Sequence, residues 1–99
     1  MRIGTTPTFT FELPADVTGI TKVKITFRQS GRLILEKYLS DCTLDGNVIK
    51  VSLKQEDTFL FTHSSRVEVQ LRVQVAGNVV RTSDVYTFEV AECLDTEVL

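Results

Sequence analysis

The chain has no tryptophan, one histidine, two cysteines and two prolines among its 99 residues. The missing tryptophan removes the Cys…Trp…Cys signature of antibody domains. Two cysteines, Cys42 and Cys93, make no disulfide framework. With no His or Cys near either at ligand spacing, a metal site on them is not expected. Both are expected as free thiols, Cys42 packed as a small hydrophobe. No apolar run is long enough to span a bilayer, and no Gly-rich phosphate loop or Cys-x-x-Cys pair occurs. A basic surplus is lacking too: 11 Lys and Arg against 13 Asp and Glu give a net charge of −2, which argues against a nucleic-acid binder. Met1 to Thr6 has none of the apolar core of a signal peptide. The protein is therefore expected to be made in a cytosol, and no membrane, cofactor or small-molecule substrate is expected for it.

What the chain does have is alternation. In Arg66 to Val75, residues Val67, Val69, Leu71, Val73 and Val75 share one parity, and Glu68, Gln70, Arg72 and Gln74 share the other. A strand turns successive side chains to opposite faces, so this is a long strand with one dry and one wet face. Thr8 to Leu13 repeats the pattern with Phe9, Phe11 and Leu13 inward, and Pro14 ends that strand or places it at an edge. In Lys22 to Arg28, Val23, Ile25 and Phe27 turn inward. Arg32 to Leu39 carries apolar groups on both faces, which predicts a strand covered on both sides or one crossing between sheets.

Turn residues divide these runs. Pro14 to Gly19, Gln29-Ser30-Gly31, Asp45-Gly46-Asn47 and Gly77-Asn78 each read as a turn, the last three as hairpin turns. Lys54 to Phe61 breaks the alternation and predicts one helical turn or corner that drops Phe59 or Phe61 over the open end of the core. The return strand from Val79 to Val90 puts Asp84 on the parity of Val80, Tyr86 and Phe88. A buried carboxylate without a partner is costly, so a bulge near Ser83-Asp84 is predicted. About seven strands and no long helix give an all-β fold, an antiparallel immunoglobulin-like β-sandwich, with a small closed barrel as the alternative. The chain is read as one domain, its core running from about 8 to 90, with an acidic tail over 91–99.

Candidates for chemistry are few. His63 has Ser64 and Ser65 beside it, but adjacent residues seldom form a nucleophile–base pair, and no third group orients the ring. Asp41, Asp45 and Asn47 carry oxygens at a hairpin, where Asp and Asn belong for backbone reasons. No catalytic residue is assigned, and the chain is not expected to be an enzyme. Lys22, Lys24 and Arg28 form a basic stripe on one strand, suited to an acidic surface within the chain or on a neighbour. Residues 91–99 hold Glu92, Asp95 and Glu97 and no base, with Leu94, Val98 and Leu99 as apolar handles. So apolar-poor a segment is expected to be mobile alone and to order against a partner by adding a strand to a sheet edge. The expected partner contacts are thus Lys22, Lys24, Arg28, Leu94, Val98 and Leu99.

The stretches Thr8-Phe9-Thr10-Phe11-Glu12-Leu13-Pro14, Phe27-Arg28-Gln29-Ser30-Gly31 and Asp41-Cys42-Thr43-Leu44-Asp45-Gly46-Asn47 resemble small prophage-encoded structural proteins of Gram-positive, clostridial-type bacteria. Leu53 to Thr58, Gln70 to Val73, Thr82-Ser83-Asp84 and Cys93-Leu94 continue the likeness along nearly the whole chain. The order of elements is also similar to the N-terminal domain of phage baseplate upper proteins, a β-sandwich that docks onto the tail. The resemblance implies a non-enzymatic tail- or baseplate-associated assembly module, cytoplasmic when made and carried in the virion, whose partners are itself or other tail proteins. It brings no catalytic residues. The alternative expectation is a small soluble domain binding a bacterial surface glycan or protein.

Overall fold

In the computed structural model, which describes residues 1–13, 19–63, 65–95 and 97–99, two antiparallel sheets pack face to face. Strands β1 (Thr8–Glu12), β5 (Val48–Ser52) and β4 (Cys42–Asp45) make a three-stranded sheet in the order β1-β5-β4. Strands β3 (Arg32–Tyr38), β2 (Ile20–Gln29) and β6 (Val67–Val75) make the other, with β7 (Val79–Thr82) and β8 (Tyr86–Phe88) both paired along the far side of β6. This is the sandwich and not the closed barrel. Its order is that of immunoglobulin strands B-E-D facing C′-C-F-G, with β7–β8 as a broken G strand. A single helical turn, α1 (Gln55–Thr58), links β5 to β6. The turn expected over Pro14 to Gly19 lies largely outside the described residues.

The alternation sets the core directly. Val23, Ile25 and Phe27 of β2 and Val67, Val69, Leu71 and Val73 of β6 are buried against Phe11 of β1 and Ile49 and Val51 of β5. Leu53, Phe61 and Val90 close the ends. Four phenylalanines tie the sheets together in a ring: Phe9 to Phe27 (5.5 Å between centroids), Phe27 to Phe61 (6.0 Å), Phe61 to Phe88 (6.5 Å) and Phe88 back to Phe9 (5.0 Å). Three of the contacts are edge-on, the arrangement that the ring quadrupoles favour. The break in alternation after Lys54 does what its pattern predicts, since α1 leads to Phe61 buried at 3% exposure.

Several expectations need correction. β3 neither crosses between sheets nor is covered on both sides: it is an edge strand paired with β2. Phe27 pairs with Leu35 but Arg28 with Leu33, so Ile34 is an extra residue, and the bulge turns Leu33 outward to 57% exposure. The loop between β6 and β7 has three residues, not two, because Val75 pairs with Val79; Gly77 and Asn78 both take positive φ there. The Asp45–Val48 hairpin does close on two residues, with positive φ at Gly46 alone, the pattern of a type II′ turn. The return strand breaks at Ser83–Val85, which makes eight strands among the described residues, in keeping with the expected count of about seven. Finally, the arm before residue 8 belongs with the packed body. Ile3 N–H donates to Ala91 O and Ala91 N–H to Met1 O, while Gly4 N–H donates to the buried Thr58 hydroxyl.

Candidate interaction surfaces

The register of the five-stranded sheet decides which polar residues meet on its outer face. Lys24 of β2 stands opposite Arg72 of β6 on one side and Tyr38 of β3 on the other, and Arg72 stands opposite Thr82 of β7. Tyr38, Lys24, Arg72 and Thr82 thus form one row across four strands. The next row holds Lys22, Gln74 and Val80. Between them lies a shallow hollow of about 650 Å³, lined by Lys22, Lys24, Tyr38, Arg72, Gln74 and Val80 among others.

Two like charges directly across an antiparallel pair destabilise it. Lys24 is partly compensated by Glu36, whose carboxylate lies 3.4 Å away. The Tyr38 hydroxyl also donates to Glu36. That bond, with Lys24 helping against partial desolvation, holds the Glu36 carboxyl below its usual range, and the same carboxylate pushes the Tyr38 phenol up. Among the described residues, neither Arg72 nor Lys22 has an ion pair. Of the expected basic stripe, Lys22 and Lys24 share this hollow, but Arg28 does not: it stands further along β2, opposite Glu68. Arg72 and Tyr38 were not among the expected contacts. Arg72 has the outward parity of β6, which is legible; its meeting with Lys24 depends on a pairing of distant strands, which is not.

The C-terminal segment is anchored at Ala91 and at Leu99. Ala91 pairs with the N-terminal arm, and the Gln55 side chain grips Leu99 twice, Oε1 accepting from its N–H (2.8 Å) and Nε2 donating to its O (3.2 Å). The side chains of Leu94 and Leu99 nevertheless stand in solvent at 99% and 94% exposure, and Val98 at 44%.

A second surface is the open flank between β1 and β7–β8, each the last strand of its sheet. The predicted bulge is there, and its geometry is clear. From Arg72 to Val69 β6 advances three residues, while its partners advance four, from Thr82 to Tyr86. The extra residue flips the parity. Tyr86 and Phe88 face the core side with Val69 and Val67, whereas Val80 and Thr82 face outward with Gln74 and Arg72. Ser83 bridges the break: its N–H donates to Leu71 O (2.8 Å), and its hydroxyl accepts from Leu71 N–H (3.0 Å) in place of a backbone carbonyl. Val79, Val80, Val85 and Tyr86 are left 47–52% exposed along this edge. Two clefts of about 410 and 540 Å³ open beside it, both lined by Glu12, Leu13, Leu71 and Tyr86, the smaller also by Phe11 and the larger by Arg81.

The remaining polar candidates serve the backbone. The Asp41 carboxylate accepts from Tyr38 N–H and the Asn47 amide donates to Leu13 O, both at 2.9 Å. His63 is exposed, in a small surface hollow with Arg66 and Glu89. No three His, Cys, Asp or Glu side chains converge as metal ligands among the described residues. Both cysteines are free thiols; burial, with Asp41 adding to it, pushes the Cys42 thiol up. No helix of the described residues is long and apolar enough to cross a membrane. Compared with protein families, curated proteins and solved structures, the chain matches none.

Proposed function

We propose that the chain is a non-enzymatic structural module that assembles through its sheet faces and edges, of the phage or prophage tail and baseplate kind that its sequence resembles. Its partners are further copies of itself or neighbouring tail proteins, and it is made in the cytoplasm and carried in the virion. The observation that carries this reading is the β7–β8 edge, where Val79, Val80, Val85 and Tyr86 are each about half exposed beside apolar clefts. Soluble proteins that work alone blunt their edge strands with charge, proline or a covering loop. An apolar edge of this kind is an interaction surface in a protein built to be covered.

The test is the composition of particles. After prophage induction in the host strain, density-purified particles are digested and cross-linked for mass spectrometry. Recovery of this chain with cross-links to tail proteins supports the reading; its presence only in the particle-free fraction overturns it. The alternative, a soluble domain binding a surface glycan or protein, draws on the hollow at Tyr38, where an aromatic ring stands beside polar side chains as sugar sites require. Saturable binding of a cell-surface glycan that Tyr38→Ala abolishes would favour it.

A further inference from the structure

We infer that copies of this chain associate head to tail, residues 91–99 of one copy lying in the basic hollow formed by Lys22, Lys24 and Arg72 of the next. The inference rests on the assembly reading and names its contact. The hollow gathers three cations, and only Lys24 has a counterion among the described residues. Residues 91–99 bring three carboxylates, Glu92, Asp95 and Glu97, and no base. The apolar parts match as well. The Leu94 and Leu99 side chains stand almost wholly in solvent and Val98 is 44% exposed, and the hollow offers the Tyr38 ring and Val80, at 48% and 50% exposure. Ala91 and Leu99 stay bonded to their own chain, so the carboxylates are offered on a segment anchored at both ends.

Within one chain the two surfaces do not meet. The segment leaves the sandwich beyond β8, which pairs with the first residues of β6, whereas Arg72 and Gln74 lie toward the other end of that strand. Leu99 is held by Gln55 of α1, and α1 is fixed by the Lys37–Asp57 ion pair. Lys37 shares the inward parity of Ile25, so this anchor lies on the side away from the outer face. The carboxylates of one copy are therefore available to the cations of another. Such a contact joins two different patches and propagates as a ring or an open chain of copies.

The test is a charge-reversal mixing experiment, read as mass by sedimentation velocity. One variant carries Lys22→Glu and Arg72→Glu; the other carries Glu92→Lys, Asp95→Lys and Glu97→Lys. The wild-type chain is expected to associate more as its concentration rises, with affinity falling at least about tenfold between 50 and 500 mM salt because the pairs are exposed. Each variant alone, its two patches now of one sign, is expected to be monomeric. Mixed, they are expected to associate again as alternating copies, since the reversed hollow of the first accepts the reversed segment of the second and the unchanged hollow of the second accepts the unchanged segment of the first. A synthetic peptide of residues 91–99 gives a readout that does not depend on the variants folding: it should bind the wild-type chain and compete with association. A monomeric wild-type chain at millimolar concentration, salt-independent association, variants that associate like wild type, or a peptide that neither binds nor competes each overturns the inference. None of these outcomes bears on recovery of the chain from particles, so the contact fails separately from the assembly reading.

Discussion

Strand β6 has two neighbours of opposite character. Along β2 it pairs in nearly unbroken register from Val67–Gln29 to Gln74–Lys22, and the inward residues of both strands are almost wholly buried. Along β7 and β8 the same strand pairs with a return strand that breaks, gains a residue and leaves four large apolar side chains half exposed. The difference lies in what surrounds each strand. β2 is flanked by β3, β6 and the opposite sheet, so every parity choice is enforced by burial, and a one-residue slip would bring lysines into the core. β7–β8 has a strand on one side only, so the edge tolerates a slip that the centre cannot.

If this contrast is right, the largest loss comes from the centre. Phe27 is fully buried and makes two of the four contacts in the phenylalanine ring. Phe27→Ala is expected to cost about 3–5 kcal/mol, measured as a fall in denaturant midpoint at constant slope. Val80→Ala on the edge should stay within about 0.5 kcal/mol. Comparable midpoints for the two would break the comparison.

The next effect sharpens it at the end of β2. Gln29 is buried, yet its amide donates to Thr62 O (2.6 Å) and Ser65 O (2.8 Å) and its carbonyl oxygen accepts from Thr62 N–H (2.9 Å). One side chain pins the loop that feeds β6. Gln29→Leu fills the space but removes all three of these hydrogen bonds to the loop, and about 2–3 kcal/mol of stability should go. Amide exchange should quicken first near Thr62.

The Lys37–Asp57 pair (2.9 Å, side chains 13% and 16% exposed) fastens α1 beneath β3. Burial alone would push the Asp57 carboxyl up, but the Lys54 N–H and the Lys37 ammonium outweigh it and hold it below its usual range. A carboxyl depressed in the fold stabilises fully above its unfolded value and loses that contribution as pH falls through the folded value. The loss therefore belongs below about pH 4. Asp57→Asn is expected to cost about 1–2 kcal/mol at pH 7, between the values for exposed and buried pairs, and to flatten the decline of stability below pH 4. An unchanged acid limb would remove the pair from the account.

Much of this was legible. Phe9, Phe11, Val23, Ile25, Phe27, Leu71 and Phe61 were all placed by parity or by its interruption, because burial on one face of a strand leaves a period-two trace. The Ser83–Asp84 bulge was legible from the cost of burying Asp84. What was not legible depends on register between distant segments: Arg72 beside Lys24, the Gln29 clamp, and Gln55 on Leu99. No local pattern records which rung faces which. The two-faced run at Leu33–Leu35 misled for the same reason, since an inserted residue and a doubly covered strand leave one and the same trace.

The smallest effect tests the break itself. At Leu71 the ladder to the return strand is completed not by backbone alone but by the Ser83 hydroxyl, which accepts from Leu71 N–H and donates to Asp84 O (2.8 Å). Ser83→Ala removes that acceptor. Deep in the sheet, an orphaned N–H would cost the full desolvation penalty. On this edge the clefts beside Tyr86 admit water, which takes the place of the hydroxyl. The expected loss is therefore only about 0.5–1 kcal/mol, the net worth of one hydrogen bond. Its signature should be local: faster hydrogen exchange at the Leu71 amide, with the amides between β2 and β6 unchanged. Ser83→Thr, which keeps the hydroxyl, should restore protection. If Ser83→Ala instead costs as much as Gln29→Leu, or loosens β2 along with β6, then the edge is as tightly specified as the centre, and the slip that turns Val80 outward and Tyr86 inward is not a freedom of the edge but a requirement of the core.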